Sequence, residues 1–437
     1  MITADLVDAE AALAGRCVGV GGMSTQAAGA TGAERSGSAA CAAVEAWRPG
    51  AAPFPYQETA AHLCAVGRMR AAPGLVARLS ALLTELAGTG PGGPAVDPPQ
   101  DCPGRLTAWL PMTCDQKTGG YATYAGIDSH RILVAARDPR RWPVVTDEVC
   151  VAALADLAAV EAGALSRHGS AVRARLRGVA RLIVRADVLA PTFSLDESVV
   201  GDVAEALADP QVPLPALAAA MQRAAKSVQE QVPADIATAV ATTVLPTTRL
   251  HDEIMFIRSI QIFETLYDQI GRSIAESVAL VDCGNIDKAA ETISAATDRL
   301  AAVPALFRVL GTMPVEVFAV IRGFTSGRSA VQSRAYRKIE ESCAAPDETT
   351  VGEVTARTWT RPVLQDAYLR VRGAPSADRL ATQMQRLDAA WRRMKRGHWG
   401  ITLRIIGTVP GTGGTTGASY LRVAAETPLF PLLADAS

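Results

Sequence analysis

The sequence predicts an all-α protein, built as a helical bundle with an additional helical domain on its N-terminal side. Apolar residues recur every three or four positions through most of the long segments, and the alternation typical of strands is hard to find anywhere. The chain has 437 residues with a hydrophobic content of 49%, which is enough for a large core. No repeat of solenoid period is visible, so we expect individual helices.

Two segments of biased composition divide the chain. Residues 1–50 are rich in Ala, Gly and Ser, which predicts a weakly ordered leader. The stretch AGTGPGGPAVDPPQDCPG at 87–104 cannot be helical and predicts a linker or a long loop. We therefore predict a leader over 1–50, a helical N-terminal domain over 51–240 and a second helical domain over 241–437.

The clearest helices lie in the second domain. The segment RLHDEIMFIRSIQIFETLYDQIGRSIAESVALV carries one apolar stripe and ends at CGN, 283–285. Further helices are predicted over IDKAAETISAATDRLAAVPALFRVLG and over PVEVFAVIRGF, where Pro314 suits a helix start. The last long helix is predicted from Ser376 to Ile406 and ends at Gly407.

Charge and cysteine usage narrow the class of protein. The 43 basic and 44 acidic residues balance, so no overall field attracts nucleic acid or an anionic membrane. The eight cysteines include no C-x-x-C pair, which favours reduced thiols. The start MITADLVDAE is acidic, and no uncharged apolar run reaches the length of a membrane span. We expect a cytoplasmic protein that binds neither nucleic acid nor membrane.

One histidine is a candidate metal ligand. The five histidines include no pair at chelating spacing, so a metal site made of protein side chains alone is not expected. A single histidine can hold a haem iron because the porphyrin supplies the other four ligands. His398, in WRRMKRGHWGITLRIIG, is that candidate. The residues alone favour the alternative, a core or surface histidine that holds no haem.

One arginine is a candidate for carboxylate binding. Arg322, in FAVIRGFTSGRSAVQSRAYRKIE, stands among Gly, Thr and Ser residues. A guanidinium beside small polar groups suits bidentate capture of a carboxylate. An ordinary arginine at a helix end, paired with a surface acid, is the alternative.

The loop GTGGTTG at 411–417 fits neither common phosphate-binding pattern. It lacks the Lys and Ser/Thr that close a P-loop, and its glycines are not spaced as G-x-G-x-x-G. The loop is therefore expected to bind a different anionic or polar group.

Three segments together resemble the tryptophan 2,3-dioxygenase superfamily of histidine-ligated haem oxygenases. HDEIMFIRSIQIFETL is similar to the family's HDE-x-x-FI-x-x-HQ-x-x-ELW helix, and the Arg322 segment to F-x-x-FR-x-x-L-x-x-ASGFQS-x-QFR-x-x-E. HWGITLRIIGTVPGTGGTTGASYLR is similar to H-x-x-x-V-x-R-x-IG-x-x-x-GTGGSSG-x-x-YLR. The segments occur in the family's order, and the resemblance does not extend before Pro246.

The resemblance implies roles for matching positions. His398 matches the proximal haem ligand, and Arg322 the residue that binds the substrate carboxylate. Thr412 matches a loop hydroxyl near the amino-acid head group, Ser329 a small polar residue on the same wall, and Phe256 an aromatic side chain lining the indole pocket.

The glycines of the loop have implied roles as well. They let the backbone pass within contact distance of ligand or haem. Gly413 is assigned to the substrate, and Gly411 and Gly414 to the cofactor.

The chain departs from the family's pattern at the distal histidine, where Ile260 stands. Gln261 and Glu264 of the same motif are retained. Isoleucine cannot accept a proton, which excludes base catalysis from this position. The departure implies that the substrate is substituted or bound in a different pose, or that the product differs. It also implies that the chain is a divergent member of the superfamily that acts in natural-product biosynthesis.

The resemblance implies an enzyme with haem b as cofactor and O2 as co-substrate, with an external reductant left open. Its substrate is L-tryptophan or a modified tryptophan, and its product either a 2-oxindole, by monooxygenation, or an N-formylkynurenine-type compound, by dioxygenation. Residues 241–437 then form the haem-binding catalytic domain, and a homo-oligomer, dimer or tetramer, is expected. A haem- or indole-binding sensor or carrier without turnover is the alternative, and a helical scaffold without haem is a third.

Overall fold

The computed structural model describes residues 4–18, 26–49, 52–88, 102, 104–115, 120–165, 169–324, 333–345, 362–407 and 417–434. Across these ranges the regular secondary structure is helical, and none of them contains a strand. The predicted all-α class is confirmed.

The first thirteen α-helices precede the segment that resembles the superfamily. They are α1 Ala4–Val18, α2 Gln26–Ala46, α3 Tyr56–Val66, α4 Pro73–Gly88, α5 Arg105–Cys114, α6 Tyr121–Ala125, α7 Ile127–Ala135, α8 Trp142–Gly163, α9 Gly169–Ile183, α10 Ala186–Leu189, α11 Glu197–Ala208, α12 Leu214–Gln231 and α13 Ala234–Ala241.

The remaining helices carry the three motifs or follow them. They are α14 His251–Asp282, α15 Ile286–Leu310, α16 Val315–Phe324, α17 Arg334–Cys343, α18 Leu364–Val371, α19 Ala377–Ile406, α20 Ala418–Glu426 and α21 Pro431–Ala434. The four helices predicted here are confirmed as α14, α15, α16 and α19. Gly407 ends α19 with φ 64°, a left-handed conformation that glycine adopts without strain.

The chain divides into two compact units. The first comprises Met1–Ile262 and Arg308–Gln332, and the second comprises Phe263–Phe307 and Ser333–Ser437. The boundaries predicted at residues 50 and 240 stay predictions. The predicted leader contains α1 and α2, and α2 packs against α3 and α4.

The first unit has two buried centres. Its α8 is buried along most of its length and packs against α9, α12 and α13. The second centre lies among α2 to α5, where Phe54 and Tyr56 pack edge-to-face on the fully buried Trp109, with ring centroids 5.7 and 5.1 Å away. Aromatic pairs of this geometry contribute about 0.5–1.5 kcal/mol each beyond the area they bury.

The second unit is built around α19. The helix packs against α18 and α20, and it buries Met384, Leu387, Trp391 and Met394 along one face. That face continues towards His398, so the core of this unit and its candidate ligand lie on one helix.

Two further observations bear on the class of protein. The seven cysteines with described side chains are all free. No single described helix is both long and apolar enough to cross a bilayer, and one bent pair, Ile286–Leu310 with Val315–Phe324, meets those requirements only when its two helices are taken together.

Candidate functional site

The start of α14 is fixed by a buried carboxylate. Glu253 accepts hydrogen bonds from the backbone N–H groups of Thr247 and Thr248 at 2.9 and 2.7 Å, and from the Tyr124 hydroxyl at 3.1 Å. Its charge lies at the helix N-terminus, where the helix dipole favours an anion. The third residue of the HDE motif therefore orients the helix that carries Phe256 and Ile260.

The other two residues of the motif form a buried ion-pair network. Arg175 donates to Asp252 Oδ1 at 2.5 Å and lies 3.5 Å from Glu161 Oε2, while His251 Nε2 lies 3.0 Å from Glu161 Oε1. Glu161 has no exposed surface, so both of its partners are needed to offset the desolvation of its charge. The network ties α14 to α8 and α9.

Gln261 also has a structural task. Its Nε2 donates to the carbonyl oxygens of Ala125 and Thr243 at 2.8 and 3.1 Å, and its Oε1 accepts from Arg258. Arg258 in turn donates through Nε to Asp156 at 2.9 Å. Gln261 thus holds the segment 124–126 against α14.

Phe256 and Ile260 lie one turn apart on α14, beside an apolar cluster. Ile260 is 8% exposed and packs with Tyr121, Tyr124, Ala125, Ile127, Val244 and Ile257, and Phe256 lies against the same cluster. The position of the family's distal histidine is therefore apolar here.

The aromatic ring of Phe256 also meets α16. Its centroid lies 5.9 Å from that of Phe318, in a T-shaped arrangement. Phe318 and Arg322 are four residues apart, so they share one face of α16. Two predicted substrate residues, Phe256 and Arg322, are thereby placed on helices that touch.

Arg322 is partly buried in the last turn of α16, and the N-terminal helix α1 packs beside it. A Cβ atom on Gly323 would come within 2.8 Å of Leu6, so the helices approach closely here. Glu10 of α1 has no exposed surface and binds Arg70 and the backbone N–H of Arg249. Nothing in the composition of the predicted leader indicated this contact.

His398 lies in the second unit, two turns after Trp391 on α19. Its ring is nearly parallel to that of Phe307 of α15, with centroids 5.6 Å apart and an interplanar angle of 9°. Neither ring nitrogen has a hydrogen-bond partner within the described part of the chain. The imidazole is oriented by stacking and keeps its nitrogens available.

The protonation of His398 suits a metal ligand. Desolvation by the surrounding protein atoms lowers its pKa to about 4, although the residue as a whole is only partly buried. The imidazole is therefore neutral at pH 7, which ligation of a metal requires. Ile401 and Ile405 lie on the same face of α19 as His398 and are also only partly buried, so this face is apolar beside the histidine.

The remaining predicted site residues, Ser329, Gly411, Thr412, Gly413 and Gly414, lie outside the described residues. Over the described ranges, no three His, Cys, Asp or Glu side chains are grouped as a metal site. Sequence reasoning missed Phe307, Phe318 and Tyr124. Only the spacing of Phe318 to Arg322 could have indicated one of them.

Comparisons with known proteins complete the description. No family model matches the chain. It is 25% identical to a tryptophan 2,3-dioxygenase of Polaromonas sp. over 233 residues, which cover 43% of this chain and 79% of that protein. It is 26% identical to one of Anaeromyxobacter sp. (strain K) over 229 residues, 43% of this chain and 86% of that protein. A shorter match of 108 residues to the Pseudomonas fluorescens enzyme reaches 35% identity and covers 24% and 36% of the two chains.

The fold is all-helical, and its long helix α19 carries His398, a partly buried histidine that is neutral at pH 7. The chain is thus similar to tryptophan 2,3-dioxygenases at about 25% identity over 43% of its length.

Proposed function

We propose that the chain is a haem-dependent oxygenase that acts with O2 on the C2–C3 bond of the indole ring of L-tryptophan or a modified tryptophan. The observation that carries the proposal is the state of His398. It is neutral at pH 7, stacked on Phe307, without a hydrogen-bond partner among the described residues, and partly open to solvent.

The residues around His398 fit a haem b. The apolar face formed with Ile401 and Ile405 matches a flat macrocycle, and one imidazole nitrogen is sufficient for its iron. When bound, the haem supplies the activation of O2. His398 holds the group, and the parallel ring of Phe307 limits the rotation of the imidazole.

Arg322 is proposed to bind the carboxylate of the amino acid. A guanidinium pairs with a carboxylate through two parallel hydrogen bonds, which fixes the orientation of the ligand. Phe256, on the neighbouring helix, is proposed to contact the indole. Ser329, Thr412 and Gly413 are proposed to bind the same amino acid, and Gly411 and Gly414 to lie beside the haem.

Ile260 bears on the product. No base acts from this position, so no protein group there removes the indole proton. Retention of one oxygen atom, giving a 2-oxindole, is therefore favoured over insertion of two, which gives an N-formylkynurenine-type product. Mass spectrometry after turnover under ¹⁸O2 distinguishes the two products, because they carry one label or two.

The first experiment is an absorption spectrum of the protein expressed with a haem precursor. We expect a Soret band in the wild-type protein and its loss in His398→Ala, with partial recovery when imidazole is added. Arg322→Ala serves as the matched control, because it keeps haem and weakens the tryptophan-induced spectral change. The opposite pattern in these variants would overturn the assignment of roles.

Oxygen consumption separates this proposal from its alternatives. A Soret band with tryptophan-induced shifts but without oxygen consumption indicates a sensor or carrier. The absence of any haem spectrum after reconstitution leaves only the helical scaffold.

A further inference from the structure

A continuous series of aromatic rings leads away from His398 within the second unit. The ring of Phe307 lies 4.9 Å from that of Phe263, and Phe263 stacks on Tyr267 at 6.0 Å. Each ring is thus in contact with the next between α19, α15 and α14. The series begins at the proposed haem ligand.

The series ends in a cluster of three oxidisable side chains, Tyr267, Tyr336 and Trp391. The ring of Tyr267 lies 5.8 Å from each of the other two, and Tyr336 and Trp391 are 4.8 Å apart. Trp391 is fully buried and lies seven residues before His398 on α19. Two helical turns correspond to about 10 Å along the axis.

One carboxylate receives hydrogen bonds from the cluster. Trp391 donates through Nε1 to Glu340 Oε1 at 3.2 Å, and the hydroxyl of Tyr336 donates to the same side chain. Lys395 Nζ lies 2.6 Å from Glu340 Oε1 and forms an ion pair with it. Glu340 is therefore a proton acceptor shared by two oxidisable donors.

Rings in contact beside a shared carboxylate suit one-electron oxidation. Tyrosine and tryptophan are among the side chains most readily oxidised by one electron, and electron transfer is fast between rings in contact because tunnelling decays steeply with distance. An oxidised tyrosine loses its phenolic proton, so a hydrogen-bonded base lowers the barrier to oxidation. Burial raises the pKa of Tyr336, so the proton does not leave before oxidation.

The cluster also reaches towards the surface. Tyr420 of α20, which is 45% exposed, lies close enough to Tyr336 to act on it electrostatically.

We propose that Tyr267, Tyr336 and Trp391 are a redox-active cluster that supplies electrons, one at a time, to the haem held by His398, with Glu340 as proton acceptor. The inference rests on the haem of the proposed function. It assigns a protective or priming role to residues that do not contact the substrate.

The step balances with hydrogen peroxide as oxidant. Peroxide takes two electrons and two protons and leaves as two molecules of water. The two electrons come from the cluster through the ring series, one from Trp391 and one from Tyr336. The two protons that peroxide takes up come from solvent. The Tyr336 hydroxyl passes its proton to Glu340, which releases it to solvent and then accepts and releases the indole N–H proton of Trp391, so solvent regains the two protons.

The test treats the ferric, haem-loaded protein with hydrogen peroxide. Freeze-quench electron paramagnetic resonance measures organic radicals, and peptide mapping locates oxidised residues. In the wild-type protein we expect tyrosyl and tryptophanyl signals and oxidation products at Trp391 and Tyr336. In Tyr267→Phe/Tyr336→Phe/Trp391→Phe the signal falls several-fold and peroxide bleaches the Soret band several-fold faster.

Further variants distinguish electron supply by the cluster from a purely structural role of its side chains. Tyr368→Phe removes a buried tyrosine of α18 outside the cluster, and it leaves radical yield unchanged. Glu340→Gln keeps a hydrogen-bond acceptor but no base, and it lowers the tyrosyl share several-fold. An unchanged yield in the triple variant, with a normal Soret band, overturns this inference alone. Absence of the Soret band from the wild-type protein overturns the proposed function and this inference with it.

Discussion

His130 and His398 both lose basicity on folding. Burial lowers the pKa of His130 to about 3 and that of His398 to about 4. His130 is 6% exposed and its Nε2 lies 2.9 Å from the Thr243 hydroxyl, so it cannot gain a proton without loss of this environment. Both imidazoles are neutral in the folded protein at pH 7.

Acidification therefore destabilises the folded protein. The unfolded chain binds a proton at His130 below about pH 6.5, whereas the folded chain does so only near pH 3, so this contribution is complete above pH 6.5 and is lost as the pH falls. His130 alone contributes a slope of about 1.4 kcal/mol per pH unit inside that window, and His398 contributes a similar slope above about pH 4. Urea unfolding at several pH values measures it, and His130→Gln should flatten the profile. An equally steep profile in the variant would contradict the assignment.

Residue types, but not residue contacts, could be predicted at this scale. Residue type and neighbouring residues indicated Arg322 and His398 as candidates, and the family resemblance added Phe256. The ring that stacks on His398 belongs to α15, and only tertiary packing determines which α15 side chain meets it. The structural tasks of Glu253 and Gln261 were hidden for the same reason, because their partners lie on other elements.

At the scale of elements, the turn between α6 and α7 positions the apolar side of α14. Gly126 has φ 68°, and a Cβ atom there would lie 2.6 Å from Met112 Cε and 2.9 Å from the carbonyl oxygen of Thr243. Both the conformation and the close approach require glycine.

Gly126→Ala should lower the free energy of unfolding by about 1–3 kcal/mol, because it adds strain and overpacking together. Gly201→Ala in α11 is the matched control, since a Cβ atom there meets no other atom within 4 Å. The control should raise stability by up to about 1 kcal/mol, as alanine favours the helix. Equal effects of the two substitutions, measured by urea unfolding, would refute the role given to Gly126.

Helix boundaries in the second half of the chain were predictable because their signals are local. α19 runs from Ala377 to Ile406 and ends at Gly407, as the glycine and the apolar spacing indicated. The first fifty residues gave the weaker prediction. Their Ala and Gly content resembles that of a linker, but Glu10 and Leu6 make contacts that composition does not reveal.

For the whole molecule, the sequence predicted the all-α class but not the division into compact units. Helix periodicity reports which face of a helix is buried, and it does not report which other helices bury it. α14 illustrates the difficulty, since residues up to Ile262 belong to the first unit and those from Phe263 to the second. A boundary inside an unbroken amphipathic helix leaves no mark in composition.

The anchoring of α1 has a practical consequence for handling this protein. Shortening the chain at its N-terminus, a common step before crystallisation, would remove the carboxylate that holds Arg70 and the backbone of Arg249, and would uncover α16 beside Gly323. Such a shortened version would lack these contacts even where it folds. An affinity tag is better fused at the C-terminus, where it leaves this first helix undisturbed.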